Sequence, residues 1–100
     1  MKYWGTLRTD GRIVKDALLE SAYQKKDEIE DYAALVSELC RALDLSRPVL
    51  LKKHLNDLDR FSRTVFKSED FMESVDFDKF EVELFFKDIK DAPKSGKRAD

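Results

Sequence analysis

The side chains best able to do chemistry in this chain are a cluster of carboxylates, one histidine and one cysteine. Asp76, Asp78, Glu81 and Glu83 crowd eight residues. A calcium loop wraps such oxygens around the ion, with a glycine at its sixth position and a glutamate at its twelfth. Counted from Asp76, those positions hold Glu81 and Lys87, so the spacing fails. Phe80, Val82, Leu84 and Phe86 alternate with Lys79, Glu81, Glu83 and Phe85, the period of a strand. On a strand Asp78 and Glu81 point to opposite faces. The group therefore reads as a solvated strand face with an acidic lead-in.

His54 stands among Lys52, Lys53, Asn56 and Asp57. A nucleophile–base pair would need Cys40 or a serine beside it, and nothing in the spacing supplies one. His54 and Cys40 alone are too few ligands for a zinc centre. The expectation is a surface histidine on an amphipathic helix and a buried free thiol. Gly5, Gly11 and Gly96 are the only glycines, which excludes the glycine-rich loops that cradle phosphates. No catalytic residue, cofactor or metal is implied, and an enzyme is not expected.

A nucleic-acid reading also has to be weighed. Leu35 to Arg60 scans as a helix–turn–helix: a helix, the link Asp44-Leu45-Ser46, then a second helix bearing Arg47, Lys52, Lys53 and His54. Two details count against it. The motif's tight turn favours glycine where this chain has Asp44. With Ser46 as cap, a buried position should fall near Lys53 or His54, but the apolar residue is Leu55, one place late. Asp57 and Asp59 also dilute the basic face. With 19 basic and 21 acidic side chains the chain lacks the basic excess of a general nucleic-acid binder.

The element that organises the rest is Asp27 to Leu45. Ile29, Tyr32, Ala33, Val36, Leu39, Cys40 and Leu43 recur at steps of three and four, one apolar helix face. Val36, Leu39 and Leu43 are the expected centre of the core. Asp27 is the expected N-cap, with Glu30 completing a capping box. Pro48 ends the helix by Ser46 or Arg47.

Ahead of it, Met1 to Leu19 reads as a β-hairpin turning at Asp10-Gly11, a type I′ signal. With Thr9 facing Arg12, Leu7 pairs with Val14, Gly5 with Asp16 and Tyr3 with Leu18. That face, with Tyr3, Leu7, Val14 and Leu18, is placed on the helix. The opposite face carries Trp4 and Ile13, and Leu19 with them. It is either covered by the second helix or the Phe71–Phe77 segment, or it is an interaction surface. Beyond Pro48, Leu51, Leu55 and Leu58 predict a short second helix. All seven phenylalanines lie between Phe61 and Phe86. Phe61 to Phe66 predicts a strand, Ser68-Glu69-Asp70 a turn, and Lys79 to Phe86 a strand. Residues 91–100 read as a disordered polar tail after a single domain over 1–90.

Part of the second half resembles a family of small uncharacterised bacterial proteins. The strings that carry it are Leu45-Ser46-Arg47-Pro48, Lys53-His54, Phe66-Lys67-Ser68-Glu69-Asp70-Phe71, and Val75-Asp76-Phe77-Asp78-Lys79-Phe80-Glu81-Val82-Glu83. The resemblance implies an α+β domain and brings no activity, substrate, cofactor or catalytic residue.

One hundred residues suit one domain. The single cysteine cannot form an internal disulfide, and a lone reduced thiol fits the cytoplasm. The opening MKYWGTLRTD lacks the apolar region of a secretory signal, and no run reaches the ~20 apolar residues that span a bilayer. The expected fold is α+β: a small antiparallel sheet, from the N-terminal hairpin and the C-terminal strands, packed on one main helix and a short second one. The expected function is a cytosolic, non-catalytic protein-interaction module that meets a protein partner or a second copy of itself as a homodimer, with Trp4, Ile13 and Leu19 as its contact residues. The alternative is the helix–turn–helix DNA-binding regulator.

Overall fold

The computed structural model describes residues 1–86. Strands β1 (Lys2–Thr9), β2 (Arg12–Glu20), β3 (Arg63–Lys67) and β4 (Lys79–Phe85) form one sheet in the order β2-β1-β4-β3, every neighbouring pair antiparallel. Helices α1 (Tyr32–Ala42) and α2 (Lys52–Phe61) lie between β2 and β3 in the chain. Both helices cover the same, inner face of the sheet. Leu39 of α1 sits over Gly5, and His54 of α2 stacks on Phe66. This is the expected small α+β architecture. The tail expected over 91–100, and residues 87–90 of the expected domain, lie outside the described residues.

The inner face is built by alternation. Tyr3 and Leu7 of β1, Phe80, Val82 and Leu84 of β4, and Phe66 of β3 are buried there beneath Leu35, Val36, Leu39, Cys40 and Leu43. Val36, Leu39 and Leu43 are sealed, as the helical spacing predicted. A Cβ on Gly5 would meet Phe80 Cε1 at 2.9 Å and Leu39 Cδ1 at 3.4 Å. Glycine is what lets α1 approach the sheet this closely.

The helix ends differ from the expected ones. Asp27 falls in a 3-10 turn, Lys26–Glu28, and α1 is capped by Asp31, whose carboxylate accepts the amides of Ala33 and Ala34 at 3.0 and 3.3 Å. The reason lies between them: Ile29 is buried in an extended conformation, so the helix restarts behind the next acidic residue. At the far end Asp44 takes φ 61°, the left-handed conformation counted against it above. The Asp44 amide donates to the Arg41 carbonyl at 3.2 Å and the Leu45 amide to that of Cys40 at 2.8 Å, a Schellman closure.

The hairpin turns at Asp10 and Gly11 with both φ positive, as predicted. Its register then slips. Arg8 pairs with Ile13, but Leu7 pairs with Lys15, leaving Val14 as a bulge. Gly5 therefore faces Ala17, Trp4 faces Leu18 and Tyr3 faces Leu19. The expected partners Leu7–Val14, Gly5–Asp16 and Tyr3–Leu18 are corrected by one place. The cause is visible at Gly5: the unbulged register would drive the Asp16 carboxylate under Leu39, which is costly without a partner. The bulge puts the small Ala17 there and turns Asp16 outward.

Strand β3 starts two residues later than Phe61, which is itself the exposed last residue of α2. The turn at Ser68–Asp70 forms as a 3-10 turn. Of the leucines expected to seat the second helix, Leu58 is buried while Leu51 and Leu55 face solvent. His54 takes the place they were given.

Candidate functional site

The outer face of the sheet has no covering element among the described residues. Its centre is polar. Glu81 of β4 receives Arg8 Nε at 3.1 Å from β1 and stands 3.8 Å from Arg63 Nη2 of β3. Thr6, opposite both Asp16 and Glu81, is screened from solvent by this charged layer. At the turn, Asp78 accepts the Asp10 amide at 2.9 Å. These carboxylates staple strand to strand, and they do not converge on one point.

Toward the open end of the hairpin the outer face becomes apolar. Trp4 lies between Leu18 of β2 and Glu83 of β4. Its ring stands 6.4 Å from that of Phe85, and its indole N–H donates to Asp16 Oδ2 at 2.8 Å. Leu18 is 56% exposed, and Phe85, on the other side of β1, is exposed as well. The other end of β2 adds Ile13 and the bulged Val14, the latter 58% exposed. Because β2 is an edge strand, these side chains flank a row of backbone groups with no neighbouring strand among the described residues.

Of the three residues picked out in the sequence, Trp4 and Ile13 share this face but stand roughly four strand positions apart, about 13 Å. Leu19 is on the other face, opposite Tyr3 and packed against the core. Leu18 is the residue that joins Trp4, and the one-place slip at Val14 is why the sequence pointed to its neighbour. Phe85 was legible on the charged side of the alternating strand. Its meeting with Trp4 required knowing that β4 lies beside β1.

The histidine is not on the surface. His54 is 0% exposed and its ring stacks on Phe66 with centroids 4.2 Å apart. Nδ1 accepts the Leu51 amide at 3.0 Å, so His54 caps its own helix from the third helical position. Nε2 is buried with no hydrogen-bond partner among the described residues, 3.7 Å from Asp70 Oδ2. Burial pushes the imidazole below its ordinary pKa, against the smaller upward pull of Asp70. The missed signal was the leucine one place late: the position it vacated belonged to the buried stripe, and a histidine filled it.

Cys40 is buried on α1, and burial raises its thiol to about 11, far from a thiolate at neutral pH. Among the described residues no cluster of three histidine, cysteine or carboxylate side chains forms a metal site. A shallow groove of about 410 Å³ runs between α1 and the connection to α2, over Val36, Pro48, Leu50 and the 85% exposed Met72, with Arg47 and Glu73 on its rim. Residues 43–51 separate the helices, with Pro48 bridged to Phe71, a longer link than the tight turn of a helix–turn–helix. No helix of the described residues is long and apolar enough to cross a membrane. No family model, curated protein or solved structure matches the chain.

Proposed function

We propose that this chain is a non-catalytic protein-interaction module of the bacterial cytoplasm that associates with a second copy of itself through the outer face of the hairpin. The observation that supports the reading is the row Trp4, Leu18 and Phe85, open on a sheet face that no element covers among the described residues. Aromatic anchors dominate the energetics of such contacts, and a half-buried tryptophan tethered by its N–H is held ready for one. A second copy suits the face because Arg8, Arg63 and Lys2 alternate there with Asp16, Glu81 and Glu83. A surface of both signs can meet itself around a two-fold axis.

Sedimentation equilibrium of the wild type, Trp4→Ala and Leu18→Glu tests this. The wild type should dimerise, and both variants should sediment as monomers with unchanged circular dichroism. A duplex-DNA titration at two salt concentrations runs beside it. A monomeric wild type that binds DNA with a steep salt dependence, lost in Lys52→Glu/Lys53→Glu, would overturn the reading in favour of a DNA-binding regulator.

A further inference from the structure

His54 ties together two parts of the chain that come from opposite sides of α2. Through Nδ1 it holds the Leu51 amide, the N-cap of the helix. Through Nε2 it faces Asp70, which closes the Ser68–Asp70 turn by accepting the Lys67 amide on Oδ2 at 2.9 Å. The Asp70 carbonyl in turn accepts the Val49 amide at 2.7 Å, beside the Pro48–Phe71 bridge. The start of α2, the Pro48–Leu50 segment and the Ser68–Asp70 turn thus meet at one sealed imidazole.

The chemistry of that imidazole allows one protonation state. Nδ1 accepts an N–H, so it carries no proton, and the neutral ring bears its proton on Nε2. At 3.7 Å the Nε2–H is too far from Asp70 for a good hydrogen bond. A second proton must go to Nδ1. There it points at the Leu51 N–H, donor against donor, and the capping bond is lost. The charged and titratable groups bearing on the ring are Asp70 from the turn and Lys53 and Asp57 from α2 itself. Behind the ring stand Phe66 of β3 and, stacked on it, Phe80 of β4, neither of which titrates.

We propose that His54 is an acid-release latch: neutral, it holds the first turn of α2 closed by accepting the Leu51 amide on Nδ1, and protonation breaks that bond and frees the first turn and the adjoining Pro48–Leu50 segment locally while α1 and the sheet stay folded. The segment it frees lines the groove under Met72, so the latch governs the shape of that groove. The sign follows from linkage. The imidazole pKa is depressed in the closed state and returns toward about 6.5 when the turn opens. The open state therefore binds the extra proton. Closure is complete above pH 6.5 and weakens as pH falls through that value toward the closed-state pKa.

The test uses the whole chain. Long-range nitrogen–proton NMR of the histidine should show the Nε2–H tautomer at about pH 7.5. Amide hydrogen exchange, corrected for its intrinsic pH dependence, should show Leu51 to Leu55 opening about tenfold more for each pH unit between the two pKa values. Exchange in Tyr32–Ala42 should not follow. His54→Gln places the usual capping-box amide at the same helical position without a titrating group, so the pH response should vanish while the turn stays protected. If His54→Gln does not fold, the wild-type tautomer and exchange profile decide alone. An Nδ1–H tautomer at neutral pH, protection of Leu51 that ignores pH, or simultaneous opening of α1 overturns the latch.

Discussion

The two faces of this sheet treat polar groups in opposite ways. On the outer face Glu81 takes Arg8 and Arg63, and Asp16 takes the Trp4 indole, so these polar groups are partnered while Trp4, Leu18 and Phe85 stay partly open. On the inner face the apolar surface is sealed, and it is the polar His54 Nε2 that goes without a partner among the described residues. An unpartnered apolar row invites another molecule. The other nitrogen of the His54 ring, Nδ1, accepts the Leu51 amide only while it carries no proton, so closure depends on the protonation state of the imidazole. The same fold thus carries two unfinished places of different kinds, one open to association and one open to acid.

The contrast breaks most sharply with one leucine from each face. Leu39→Ala on the inner face should cost about 2–5 kcal/mol, the range for emptying a packed core site. Leu18→Ala on the outer face should stay within about 0.5 kcal/mol, as for an exposed side chain. Urea denaturation at a protein concentration low enough to hold both as monomers gives the comparison, because association would add its own stability. Equal costs would mean that the outer row is covered within the monomer.

A second substitution sharpens the inner side. Gly5→Ala adds a methyl 2.9 Å from Phe80 Cε1 and 3.4 Å from Leu39, between groups that are themselves fully buried. Overpacking of this kind should cost about 1–3 kcal/mol, read as a lowered melting temperature. No loss of stability would show that α1 can lift from the sheet at little cost.

Much of the inner face was legible because its signals are local and periodic. The spacing of Val36, Leu39 and Leu43, the Asp10-Gly11 turn, the Ser68–Asp70 turn and the alternation from Lys79 each depend on a few neighbouring residues. The features that were not legible depend on distant partners. The bulge at Val14 exists because Asp16 would otherwise meet Leu39, more than twenty residues away in the chain. Leu19 was therefore read onto the wrong face. His54 was read as exposed because its residue type outweighed its place in the stripe, and only Phe66 and the Leu51 amide explain the burial. The cap was misplaced for the same reason: Asp27 and Asp31 look alike until the burial of Ile29 separates them.

That separation predicts a smaller effect. Asp31→Ala should cost about 0.5–2 kcal/mol, since its carboxylate holds two helix amides. Asp27→Ala should change stability by no more than about 0.5 kcal/mol, its side chain being exposed outside α1. Thermal melts of the two variants, measured side by side, check the order. The reverse order would place the start of α1 where the sequence first suggested.

The smallest effect belongs to the outer-face ion pair, and it bears directly on whether that face is free. Arg8 and Glu81 keep about 31% and 22% of their side-chain surface in contact with solvent. A pair of this exposure is weakened by water and by the entropy of holding two long side chains, so its coupling should be about 0–1 kcal/mol. A double-mutant cycle through Arg8→Ala and Glu81→Ala measures it, and repeating the cycle at about 0.1 M and about 1 M salt should shrink it further. The expectation holds for the dilute monomer. If a second copy seats on Trp4, Leu18 and Phe85, the same pair loses solvent on the buried side. Its coupling should then grow with protein concentration and resist salt. A cycle that is weak when dilute and strong when concentrated would tie the charged centre of the face to the same contact as its apolar row. A coupling that is strong and salt-resistant even in the dilute monomer would mean the outer face is already closed to water, and the contrast between the two faces would fall.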